Sequence, residues 1–136
     1  MLFSCDHSKV DGIVIDHTLY ENLTSFKRTE LKELIELTLN KDESALARLN
    51  NFWCGSAAGC YDLGFVITQI IYRLGEDEVV KMVVKLDRRK LIGLEGLIAS
   101  GLEYGDNNKD GKNDNKKIET EFPKLQRILL DKFKSN

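Results

Sequence analysis

Apolar residues along this chain recur mostly at three- and four-residue steps, the spacing of amphipathic helices packed on a common core. The strongest signal runs from Tyr61 to Leu74, where Leu63, Val66, Ile67, Ile70, Ile71 and Leu74 form one stripe and Phe65 widens it. This is the expected central helix, closed by Gly75 as a left-handed C-cap. Just ahead of it, Gly55-Ser56-Ala57-Ala58-Gly59 carries no bulky side chain and predicts a tight turn. Upstream, Leu31, Leu34, Ile35 and Leu39 make the apolar face of a helix from Thr29 to Leu39. Asp42 is placed to cap a second helix, whose buried side is Ala45, Leu46, Leu49, Phe52 and Trp53.

Downstream, Val79, Val80, Val83 and Val84 pair at four-residue steps between Glu76 and Leu86, a helical period that outweighs their β-branching. A fifth helix is expected from Arg88 to Tyr104 on Leu91, Ile92, Leu94, Leu97, Ile98 and Leu102. Gly93, Gly96 and Gly101 interrupt it. An interior glycine costs about 1 kcal/mol relative to alanine, so close packing against another helix is expected to offset them. A last helix starts at Pro123 and uses Leu125, Ile128, Leu129 and Phe133. The fold class predicted is all-α: five to six short helices in a compact bundle or a short helical-hairpin stack. Periodicity is weak before Phe26, and Gly12-Ile13-Val14-Ile15 is too brief to separate a strand from a tether. Residues 1–26 are therefore read as an extended N-terminal arm docked on a single helical domain, 27–136, with a polar insert at 104–119.

Length and composition agree with that picture. The 136 residues suit one domain, with 42% hydrophobic and 31% charged residues and a single proline. A formal net charge of −2 with dispersed basic residues provides no electrostatic footprint for nucleic acid. No apolar run reaches the roughly 18 residues that span a bilayer, so no transmembrane helix is expected.

The N-terminus bears on location. Leu2-Phe3-Ser4-Cys5 resembles a bacterial lipobox, which implies a lipid anchor at Cys5 and a place in the cell envelope. It departs from that pattern by lacking the basic and apolar regions that precede a lipobox; as written, the chain reads as cytoplasmic. With Cys5 lipidated, Cys54 and Cys60 would remain as a pair in an oxidising compartment.

Candidate chemistry is sparse. His7 and His17 lie among Asp6, Asp11 and Asp16, but two histidines ten apart without cysteines at ligand spacing fit no zinc pattern. Trp53-Cys54-Gly55 has its next cysteine after five residues, whereas a thioredoxin-type site needs two. Cys54-Gly55-Ser56 also lacks the continuation of a papain-like nucleophile, and both histidines lie far upstream. Cys54 and Cys60 are read either as small buried side chains or as a disulfide closing the turn. Tyr61-Asp62 sits where helix-start amides can hold an anion, but no cation is adjacent and packing is the preferred reading.

The insert Asp106-Asn107-Asn108-Lys109-Asp110-Gly111-Lys112-Asn113-Asp114 resembles the calcium loops of EF-hands and of bacterial and extracellular repeats. Oxygen-bearing residues stand at positions 1, 3, 5 and 9, with glycine at 6 for the sharp turn. The resemblance implies calcium bound through Asp106 to Asp114. It departs at position 12, where Lys117 replaces the expected acid, and at position 8, which is Asn113. The competing reading is a solvated linker.

No residue is assigned a catalytic or cofactor role, and none outright a metal role. The function expected is a non-enzymatic, helical protein-interaction domain, of the kind used by envelope lipoproteins or toxin-neutralising immunity proteins, acting on a protein partner. The alternative is an envelope protein stabilised by calcium.

Overall fold

A computed structural model describes residues 8–134. The chain is mostly helical, with eight α-helices and one two-stranded hairpin among the described residues, so the helices outnumber the five to six expected. The N-terminal arm is not simply extended. Strands β1 (Lys9–Val10) and β2 (Ile13–Val14) pair antiparallel, Val10 opposite Ile13. Between them Asp11 and Gly12 take φ of 49° and 86°, the positive angles of the two-residue hairpin turn that an Asp-Gly pair favours. A short helix, α1 (His17–Glu21), follows. The lipobox-like residues lie outside the described part of the chain.

Helix α2 (Ser25–Leu39) begins four residues earlier than its apolar face suggests, because Thr24 caps it by accepting from the Lys27 amide at 3.2 Å. Asp42 caps α3 (Glu43–Asn50) as expected, its Oδ1 accepting from Ser44 and Ala45 amides at 3.0 and 3.2 Å. Phe52 is buried beyond that helix, but Trp53, expected on the buried side, is 59% exposed. The central helix α4 (Ala57–Leu74) contributes Leu63, Val66, Ile67, Ile70 and Ile71 to the core, each essentially inaccessible. Gly75 has φ 91° and ψ 147°, positive in φ as expected but beyond the left-handed helical well. This joins α4 to α5 (Glu76–Val84) with no further linker.

The expected fifth helix is broken in two. A 3₁₀ turn (Arg88–Leu91) is capped by Asp87, and α6 (Leu94–Tyr104) starts after Gly93, which has φ 85°. The buried Asn50 side chain explains the break: its amide donates to the carbonyls of Lys90 and Ile92 at 3.2 and 2.9 Å, taking both out of a helical ladder. A one-turn helix, α7 (Ile118–Glu121), precedes α8 (Pro123–Lys132).

The α4–α6 contact is the most extensive between any two elements, and glycines set its closeness. A methyl group on Gly64 would overlap the Leu97 carbonyl, and one on Gly101 would overlap the Gly64 carbonyl. Close packing therefore accounts for Gly101, as expected, but not for Gly93 and Gly96, whose missing Cβ positions face open space. Tertiary contacts also supply two helix caps. Asp62 on α4 accepts from the Leu19 amide at 2.9 Å, and Glu76 on α5 accepts from Lys124 and Leu125 amides at 2.7 and 3.0 Å.

Candidate metal centre

Loop 105–117 leaves the C-terminal end of α6 and doubles back on it. Asp114, Asn115 and Lys116 amides donate to the carbonyls of Gly105, Glu103 and Leu102 at 2.9, 3.0 and 3.0 Å, satisfying acceptors that the helix end leaves free. Gly105 presses against the Phe65 ring, where no side chain would fit. Inside the loop, Asp106 folds the chain around its own carboxylate, accepting from Asp110 and Gly111 amides at 3.0 and 2.8 Å. Lys109, Gly111 and Asn115 all have positive φ, the cost of so tight a path.

The outcome is a convergence of three carboxylates. Asp106, Asp110 and Asp114 each present a ligand oxygen, all within 4.8 Å of one another. Asn108 Oδ1 accepts from the Asp110 amide at 3.2 Å, so position 3 also turns into the loop. Asp114 is held differently from the others. Its Oδ2 accepts two bonds from Asn107, at 2.8 and 3.1 Å, while Oδ1 is buried without a donor. A desolvated, unpaired carboxylate oxygen costs free energy unless a proton or cation meets it. The negative end of the α6 macrodipole, at the entrance to the loop, further favours a cation there.

Asn107, which sequence reasoning passed over, anchors the loop. Its Oδ1 accepts from Thr68 Oγ1 of α4 at 3.1 Å and its Nδ2 donates to the Gly101 carbonyl of α6 at 3.2 Å, so both central helices position the loop. Asp16, which the sequence groups with His7 and His17 in a pattern that fits no zinc site, lies close to the loop. It occupies the N-cap of α1 without capping it and lines a cleft together with Asp106, Phe65, Gln69 and Lys109. Burial is the main cause that raises its pKa; His17 lowers it and the Asp106 charge raises it again. Gln69 joins the hairpin to α4, exchanging two 2.9 Å bonds with the Val14 backbone. Asp11 lies in the hairpin turn and His17 opens α1, and neither is in the three-carboxylate cluster. His7 and Asp6 lie outside the described residues.

The other two sequence candidates resolve into structural roles. Cys54 and Cys60 are joined by a disulfide across the turn into α4. Ser56 caps that helix by accepting from the Gly59 amide at 3.1 Å, and a side chain on Gly59 would overlap the Cys54 carbonyl. A disulfide closing so small a loop stabilises by about 2 kcal/mol. Reduction, or Cys54→Ser, is expected to lower the thermal midpoint correspondingly; an unchanged midpoint in excess dithiothreitol would contradict the bond. Tyr61 stacks on Tyr104 with centroids 4.5 Å apart, and Asp62 serves as the cap of α1, its pKa raised chiefly by burial. Neither addresses an anion. No protein family, no curated protein and no solved structure matches the chain.

Proposed function

We propose that this chain is a non-enzymatic helical protein that binds a calcium ion through Asp106, Asn108, Asp110 and Asp114 and uses it to fix the junction between α6 and α7. The observation that carries this reading is the convergence of three carboxylates within 4.8 Å, one of them holding a buried oxygen that meets no donor. Calcium takes six to eight oxygen ligands in a flexible shell. The side chains of Asp106, Asn108, Asp110 and Asp114 supply part of that shell and water the rest. Three acids, no acid at position 12 and two lysines, Lys109 and Lys112, between Asp106 and Asp114 place the affinity at the weak end of calcium loops, about 10⁻⁴ M. Calorimetric titration with calcium chloride tests this: one site is expected in the native chain and none in Asp110→Ala. Absence of binding at 5 mM calcium (about fifty times that constant) would refute it.

A second reading, as a protein-interaction domain, is favoured by a separate observation. Val84, Ile92, Leu130 and Phe133 are 54%, 62%, 51% and 42% exposed, and the last three line one groove. The non-enzymatic reading draws support from Cys54 and Cys60, the nucleophile candidates, being bonded to each other. An oxidising location such as the bacterial envelope suits that disulfide.

A further inference from the structure

Between the hairpin turn, helix α4 and loop 105–117 lies a cavity of about 250 Å³ whose charged lining residues are both basic. Arg73 of α4 and Lys109 of the loop line it and no acid does, although acids outnumber lysines and arginines in the chain by 22 to 20. Neither cation pairs with a carboxylate among the described residues. Both are positioned by the fold. Gly12 lacks the Cβ that would come 2.8 Å from Arg73 Nη2, so the guanidinium lies against the hairpin turn. Lys109 follows two residues after Asn107, which ties the loop to α4 and α6.

The neutral side chains around the cavity have already spent their donors. Gln69 donates to the Val14 and Phe65 carbonyls at 2.9 and 3.2 Å, and Asn107 to the Gly101 carbonyl and the Asp114 carboxylate at 3.2 and 3.1 Å. The Tyr72 hydroxyl donates to Glu121 at 2.6 Å. The guanidinium and the ammonium are the side-chain donors left over, and they select an anion. Two carboxylates border the cavity without lining it. Glu121 meets Tyr72 and Lys116, and Asp106, in the adjoining cleft, accepts from two amides of its own loop. A single carboxylate ligand would leave one of the two cations unanswered. A phosphate monoester carries about two negative charges near neutral pH and three acceptor oxygens, enough to meet an arginine fork on one side and a lysine on the other.

We propose that this cavity binds the phosphate group of a phosphomonoester, with Arg73 and Lys109 as its two contacts. The proposal goes beyond both readings above and depends on neither. It is tested by titrating the full chain with glycerol 3-phosphate at low salt and in EDTA, which removes any calcium, following the Gly12 amide and Arg73 Nε–H signals by NMR. Both signals are expected to move saturably. Arg73→Gln and Lys109→Gln should each weaken binding roughly tenfold or more, read at Gly12. Arg127→Gln, which removes an unpaired cation on α8 outside the cavity, should leave it unchanged. Circular dichroism checks that each variant keeps its helices. Flotation with vesicles separates the two sources of such a phosphate. Binding of the free ester assigns a soluble ligand; binding only to phosphatidic acid vesicles, absent with phosphatidylcholine and lost in both cavity variants, assigns the same group on a lipid. No saturable shift together with no vesicle binding overturns the proposal. So does an equal loss in Arg127→Gln, or acetate binding as tightly as the ester.

Discussion

Gly64→Ala is expected to destabilise this protein by about 3 kcal/mol, while Gly96→Ala stabilises it by about 1 kcal/mol. Helix propensity alone predicts the same gain at both positions, since each lies inside a helix and alanine is the best helix former. Packing reverses the sign at one of them. The new methyl at position 64 would meet the Leu97 carbonyl, Ser100 Oγ and the Gly101 amide, and two of those three are backbone atoms that cannot swing aside. Helix α6 would have to move away from α4 and open the largest interface in the molecule. At position 96 the methyl meets nothing. Urea denaturation of the two variants should shift the midpoints in opposite directions at unchanged slope. Stabilisation by Gly64→Ala would mean that the helices do not cross at Gly64 and Gly101.

Calcium at a hundred times its dissociation constant should stabilise the native chain by about 2.7 kcal/mol, because an ion that binds only the folded state adds its binding free energy to folding. For a domain of this size that corresponds to a rise of roughly 10 °C in the thermal midpoint. The reason is specific to Asp114. Without an ion, its Oδ1 is buried and unpaired, an unfavourable contribution to the folded state that coordination removes. The change should extend beyond the loop, since Asn107 links Asp114 to Thr68 on α4 and to the Gly101 carbonyl on α6. Amide exchange at residues 102–116 is therefore expected to slow on adding calcium, and Asp110→Ala to abolish both responses. A midpoint rise of equal size in Asp110→Ala would show that calcium acts elsewhere on the molecule.

Much of the helical architecture was legible because it is local. The stripe from Leu63 to Leu74, the Asp42 cap and Pro123 at the start of α8 each involve residues within a turn or two of one another, and each is observed. The hairpin was equally local: Asp11-Gly12 between Val10 and Ile13 is the signal of a two-residue turn, and reading the apolar run by itself overlooked it. Nothing in the apolar pattern predicted the break at Ile92–Gly93, because the pattern continues across it. Asn50, some forty residues earlier, takes the carbonyls that would have continued the helix. Trp53 shows the same limit, since spacing places it beside Phe52 but cannot say that the chain has already turned outward.

For the candidate site, the sequence alone determined the identity and order of the oxygen donors and the glycine that permits the turn, since these lie within nine consecutive residues. Only the tertiary structure decided that the three carboxylates converge and that one oxygen of Asp114 loses its water without gaining a donor. It likewise decided that Asp62 caps α1, Glu76 caps α8 and Gln69 holds the hairpin, across separations of 43, 48 and 55 residues. Periodicity and turn chemistry report the preferences of neighbouring residues. A cap, a clamp or a desolvated carboxylate exists only once packing has brought distant groups together and excluded the water that would otherwise satisfy them.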